Sequence, residues 1–320
     1  MTKSIQKFIL YFIISSLVYY SFLVVETISL YFNEFGFDLA NAILVSFSSI
    51  VSVINFGVFI SIILITVDLL KEKVRVFKIL KFGLVVSLIF GGVMFFLSNN
   101  VIPELRITSF LNRYENARKE VFSSEERAKK TRELKNKDAS MMSIRLINKF
   151  SDSLENQNSS QKKIIADLFQ KIPDSIIESD FSKREITKYD ISKNKLTPNF
   201  SRRELINLKM EIRKNKALRK QLRTSNWKKN ERYLNIFLTV FLACFGIVIG
   251  TSFKNQVMFS LVCIGIVIYS QILTLLTAMT DYFINEKNLI GMIFKLALIL
   301  AVFLYLVNKM KTNKNTSINT

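Results

Sequence analysis

Two ionisable residues stand where such residues are rare. Glu26 lies inside an apolar run from about Phe8 to Leu30, and Lys295 inside another from about Leu289 to Val307. A charge held in hydrocarbon is costly, so it marks an ion pair, a pathway or contact with a charged ligand. Taken as membrane helices, the two runs place both charges about two turns from the same face of the bilayer. Their signs are opposite, and a Glu26–Lys295 pair is the simplest expectation. A lysine near a helix end can also extend its stem to the interface without further purpose. For Lys295 both readings stand.

A second constellation is basic. Between the second and third apolar runs, the segment from Lys71 to Phe82 carries Glu72, Arg75, Lys78 and Lys81 and is followed by Gly83. Its pattern is that of a short helix. One reading is an anchor on anionic lipid; the other is a coupling helix that docks on a cytoplasmic motor. A third feature is packing rather than chemistry. Gly246 and Gly250 form a G-x-x-x-G in an apolar run, which lets two helices approach closely.

Other chemistry is excluded by residue type. The chain has no His, so imidazole acid–base catalysis, Ser-His-Asp triads and His metal sites are ruled out. The two Cys, Cys244 and Cys263, lie in apolar runs, where neither a disulfide nor a zinc site is expected. No G-x-x-x-x-G-K-S/T string occurs, so ATP is not bound through a P-loop. No enzyme, cofactor or metal is expected from these residues.

The elements that position the charges follow from composition. Half of the 320 residues are hydrophobic, yet 45 Lys and Arg stand against 25 Asp and Glu, a formal charge of +20. Apolar and charged residues are segregated into runs of about 20, the length that crosses a bilayer. The runs fall at about 8–30, 40–69, 79–97, 233–252, 257–280 and 289–307. This predicts an all-α polytopic membrane protein with six transmembrane helices in a 3+3 arrangement. Residues 1–98 form the first membrane half and 233–308 the second. Residues 99–232 form an inserted extracytoplasmic domain, and 309–320 a basic tail. The run at 40–69 is long enough to tilt or to contain a re-entrant turn.

Short-loop charge sets the orientation. Lys3, Lys7, Lys71, Lys73, Arg75, Lys78, Lys81, Lys254, Lys309, Lys311 and Lys314 share one side. Both termini are therefore expected in the cytoplasm and the 99–232 segment outside. That segment reads mainly as helix. Ser123 with Glu126, and Ser201 with Glu204, fit capping boxes. Ser160 is a candidate cap for a helix ending before Pro173, and Glu185 to Ile191 is the best candidate strand. Leu205, Leu208, Ile212, Leu218 and Leu222 form an apolar stripe on a basic helix. Trp227 suits an interfacial aromatic. Outside the cytoplasm, nucleic acid is not an expected partner of this basic helix.

The layout and several strings resemble one family, the lipopolysaccharide-transport permeases of LptF/LptG (YjgP/YjgQ) type. Ser98-Asn99-Asn100-Val101-Ile102-Pro103 is similar to its Asn-containing end of helix three and following V-V/I-P. Glu231-Arg232-Tyr233 resembles its lead-in to helix four. Ala243-Cys244-Phe245-Gly246-Ile247-Val248-Ile249-Gly250 resembles its A-C-x-x-F-x-x-x-G-x-P-L-G helix, without the proline. The family's coupling helix reads E-x-x-x-L-R-x-x-G. Gly83 matches its glycine, whereas Arg75 stands at the acidic position, Leu80 at the arginine, and Glu72 about one turn earlier.

The resemblance implies a permease subunit of an ABC-type export complex. Its partners would be a separate ATPase dimer, a second permease subunit and lipopolysaccharide, with a periplasmic bridge protein as a further contact. Helices one and five would line the lipid cavity, with Glu26 and Lys295 near its rim. Glu72, Arg75, Lys78 and Gly83 would serve motor coupling. The family also implies a β-jellyroll in the inserted domain and residence in a bacterial inner membrane. A non-transporting scaffold, or a permease for another lipid, is the alternative.

Overall fold

The computed structural model describes residues 2–35, 39–118, 121–189, 201–286 and 289–316. Every regular element among them is helical. Six helices are long and apolar enough to cross a membrane, which is the make-up of a multi-pass membrane protein. The chain divides into two compact units, one of residues 1–144 with 228–320, the other Arg145–Trp227.

In the first unit, α1 (Thr2–Phe35), α2 (Leu39–Phe47), α3 (Ile50–Lys71) and α4 (Val76–Phe96) come first. The expected second span is thus two helices, broken at Ser48–Ser49. The serines there compete for backbone partners: the Ser48 hydroxyl donates to the Val45 carbonyl at 2.7 Å. After α4 a π-helical turn, Leu97–Val101, leads directly into α5 (Ile102–Arg118). Next comes α6 (Ser124–Lys137), which opens on a complete Ser123/Glu126 capping box.

The centre of this unit is α3, buried on all sides from Val58 to Val67. A helix apolar all round is one that neighbours must enclose. On one flank Phe59, Ile60 and Ile63 pack with Phe245, Leu261, Tyr269 and Ile299. On the other, Val58, Ile62 and Ile65 pack with Phe8, Ile79 and Ile247. Those partners lie on α1, α4, α10 (Arg202–Ser252), α11 (Met258–Asn285) and α12 (Leu289–Thr316). By contrast α1 and α12 expose large side chains such as Phe22, Val25, Phe294 and Leu304, as helices facing lipid do.

The second unit has its own core. Helix α7 (Ile144–Gln170), α8 (Asp174–Asp180), α9 (Lys183–Thr187) and the first part of α10 enclose Ile165, Phe169, Ile177, Phe181, Leu208 and Ile212. Leu205, Leu208 and Ile212 of the sequence stripe are the contribution of α10. Ser201 and Glu204 bond reciprocally at the start of α10. No jellyroll is present, and no strand occurs among the described residues. The apolar residues of this segment recur at helical spacing, as Ile165, Phe169 and Ile172 do, not in alternation.

Other local expectations change as well. Glu185–Thr187 is helical, and 190–191 lie outside the described residues. Ser160 sits inside α7 and caps nothing, although that helix does end before Pro173. Trp227 is buried, 6% exposed, instead of lying at an open interface. This unit is shorter than the 99–232 segment, since α5 and α6 belong to the first unit. The reason is that α5 continues α4 and buries Ile107 and Leu111 against Met141.

Candidate functional site

A cavity of about 600 Å³ lies between α1, α3 and α11. From α1 it receives Val18, Phe22, Val25 and Glu26; from α11, Ile266 and Leu273. Its floor is aromatic. Tyr19 stacks on Phe56 with centroids 4.6 Å apart, and Phe56 meets Tyr269 edge-on at 5.2 Å. The Tyr269 hydroxyl is satisfied by the Ser52 carbonyl at 2.8 Å, so the floor presents aromatic faces with no free hydroxyl from Tyr269. Glu26 is exposed on this wall and has no hydrogen-bond or ion-pair partner among the described residues. The arrangement suits an apolar chain with a polar or cationic group near Glu26.

Lys295 is not part of it. Its ammonium donates to the Thr274 carbonyl of α11 at 3.3 Å. The expected Glu26–Lys295 ion pair is absent, because the lysine bonds to the backbone of the helix beside its own.

At the other end of these helices, the connection between α3 and α4 is a tight turn. Glu72 ends α3, Lys73 takes a left-handed φ of 57°, Arg75 is extended, and α4 starts at Val76. No separate coupling helix lies between them. The apolar pattern of Val76, Phe77 and Ile79 simply runs into the span. Lys78 is on the first turns of α4, and Arg75 and Lys78 are both exposed. Glu72 accepts from Lys7 at 3.1 Å. Gly83 is buried, and a Cβ there would stand 2.7 Å from Ile247. Its place is helix packing against α10.

Gly246 and Gly250 face α3. A Cβ on Gly246 would lie 3.2 Å from the Phe59 carbonyl oxygen, and one on Gly250 would lie 2.8 Å from Thr66. Two small residues thus bring the α10 and α3 backbones together.

Sequence reasoning passed over Asp68 and Asn55. Asp68 sits within the second apolar run and accepts from Tyr11 at 2.8 Å, with Lys7 at 3.4 Å. Asn55 is buried in α3 and accepts from Thr239 of α10 at 3.0 Å. The signal that singled out Glu26, a polar residue in an apolar run, applies equally to both. No protein-family model, no curated protein and no solved structure matches this chain.

Proposed function

We propose that the chain is a permease subunit that moves an acyl-chain lipid out of one leaflet of a membrane. The single observation behind this is the apolar cavity of about 600 Å³ between α1 and α11, with Glu26 on its wall. The lipid's acyl chain lies on the Tyr19–Phe56–Tyr269 floor, and Glu26 meets a polar part of it. Lipopolysaccharide export from a bacterial inner membrane, with a separate ABC ATPase dimer and a second permease subunit, is the form of this activity that the family resemblance favours. In that form both termini are cytoplasmic and the Arg145–Trp227 unit is on the outer side. With no strand among the described residues of the inserted segment, hand-over to a β-structured bridge is not part of this activity.

A second reading, a membrane scaffold without transport, is favoured by the tight α3–α4 turn, which presents Arg75 and Lys78 without a separate coupling helix for a motor to grip. Two experiments separate them. Tagged protein is purified from its native membrane in mild detergent, and co-purifying lipids and proteins are identified by mass spectrometry. The permease reading expects an ATPase and a bound acyl lipid, reduced by the cavity-filling variant Leu273→Trp. Neither partner, under conditions that hold a known transporter together, supports the scaffold. Reversal of Arg75 and Lys78 to Glu abolishes export under the first reading and is tolerated under the second.

A further inference from the structure

The first unit holds another cavity of opposite character. It measures about 160 Å³ and lies where α3 begins, where α4 gives way to α5, and where the apolar stretch of α10 starts. Its lining includes Ser49, Ser98, Ser140, Asn235, Arg106 and Arg232. Arg232 is only 6% exposed. Its guanidinium donates to Asn99 Oδ1 at 3.1 Å and to the Met142 carbonyl. Arg106 donates to the Ser140 carbonyl at 3.4 Å.

All of these acceptors are neutral. Glu231 lines the same cavity and is paired with Lys228, as Glu104 of α5 is with Lys135, each at 2.6 Å. Among the described residues neither arginine meets a carboxylate. Arg106 and Arg232 therefore repel each other across one small cavity, and the paired Glu231 on its lining offsets this only in part. A buried guanidinium that no carboxylate contacts is unfavourable unless an anion joins it. One more group waits there. The Ser98 hydroxyl is buried and has no partner, which in a native fold asks for a ligand or water oxygen.

We infer that Arg106, Arg232 and Ser98 bind a phosphate oxyanion, as a monoester or diester. Planar guanidinium forks and a hydroxyl match its tetrahedral oxygens. The phosphate can belong to a lipid headgroup or be the free ion. The surroundings favour the lipid. Arg232 directly precedes the apolar stretch of α10 and Arg106 follows that of α4, and lipid headgroups lie beyond the ends of such stretches. Tyr269 and Leu273 also line both this cavity and the apolar one, so a headgroup and its chain find adjoining places. The oxyanion site itself does not rest on the permease reading.

The test uses the full chain in neutral detergent. Native mass spectrometry compares retention of phosphatidylglycerol with that of diacylglycerol, and thermal unfolding compares inorganic phosphate with chloride at equal ionic strength. Wild type is expected to retain phosphatidylglycerol over diacylglycerol, and Arg106→Gln/Arg232→Gln to weaken that retention about tenfold or more. Ser98→Leu fills the cavity and leaves both arginines in place, so it carries the same expectation if the double variant fails to fold. Stabilisation of wild type by inorganic phosphate, lost in Ser98→Leu, with lipid retention unchanged, upholds the site and assigns it to the free ion. Equal retention of the two lipids by wild type together with no response to phosphate overturns it, as does a Ser98→Leu protein that binds both like wild type.

Discussion

The hydroxyl of Tyr11 on α1 donates to the carboxylate of Asp68 on α3 at 2.8 Å, and Lys7, one turn earlier, reaches both Asp68 and Glu72. This cluster pins one end of α1 to the central helix. Farther along, Gly57 of α3 lets α1 come so close that a Cβ there would strike the Ser16 hydroxyl at 2.1 Å. The pairing of α1 with α3 is therefore polar at one end and steric in the middle. Asp68→Leu is expected to lower the thermal midpoint in detergent. Because Tyr11 then has lost its acceptor, adding Tyr11→Phe should lower it no further. Strictly additive losses in a double-mutant cycle would show that the two act separately.

The glycines of α10 give a sharper contrast. At Gly250 a Cβ would lie 2.8 Å from Thr66 and 2.9 Å from the Ile63 carbonyl oxygen, whereas at Gly92 nothing lies within 4 Å. Gly250→Ala forces two backbones apart, and overpacking of this kind costs about 1–3 kcal/mol. Gly92→Ala fills open space on a helix and is expected to be neutral or slightly stabilising. Equilibrium unfolding in mixed micelles measures both. Equal effects at the two sites would remove the case for a close α10–α3 crossing.

Acid should loosen the α5–α6 hairpin before the membrane helices. Glu115 accepts from Arg127 Nε at 2.8 Å and from the Phe122 amide at 3.0 Å. The Arg127 guanidinium holds its carboxyl below the usual range, and the Phe122 amide adds to this. The folded state thus binds that proton less readily than the unfolded one. The stabilisation is complete above the unfolded value of about 4.3 and is lost as pH falls through the lower folded value. Hydrogen exchange of the α6 amides, corrected for intrinsic rate, should show protection falling in that acid range. Glu115→Gln should weaken protection at neutral pH and remove the acid step.

The buried Asn55–Thr239 contact is a different kind of bond. Thr239 has one hydroxyl proton and two acceptors, Asn55 Oδ1 at 3.0 Å and the Asn235 carbonyl at 2.7 Å. Thr239→Val keeps the shape and removes the proton. Hydrogen bonds between membrane helices average about 0.6 kcal/mol and reach about 1.7, so a loss in that range is expected from unfolding titrations. A larger loss would mean that Asn55 has no other partner to turn to.

The membrane helices were readable because one physical rule, the apolar length of a bilayer crossing, governs them. The capping boxes at Ser123 and Ser201 were readable because both partners lie within one turn. What escaped depends on pairing at a distance. Ser160 has a capping residue's chemistry, yet it lies inside a helix that runs from Ile144 to Gln170. The pairing proposed for Glu26 and Lys295 used depth and sign alone. Which neighbour each helix takes decided that Lys295 meets the Thr274 carbonyl. Asp68 and Asn55 carry the same signal as Glu26, but sit on α3, the helix at the centre of the first unit. Arg232 stood in the family-like string before the fourth span, while its partners Asn99 and Met142 are far away in the chain.

The π turn between α4 and α5 sets a phase. There the Ile102 amide reaches back five residues, to the Leu97 carbonyl, so the ladder holds one residue more than an α-helix would. Were the same residues to close as an ordinary α-helix, the Ile102 amide would pair with the Ser98 carbonyl instead, and the turn would hold one residue fewer. Everything downstream would then rotate by about 100°. Ile107 and Leu111 would leave the buried side of α5, and Arg106 would swing away from the serines it now faces. The aim of that arginine is thus stored as the number of residues that one turn holds.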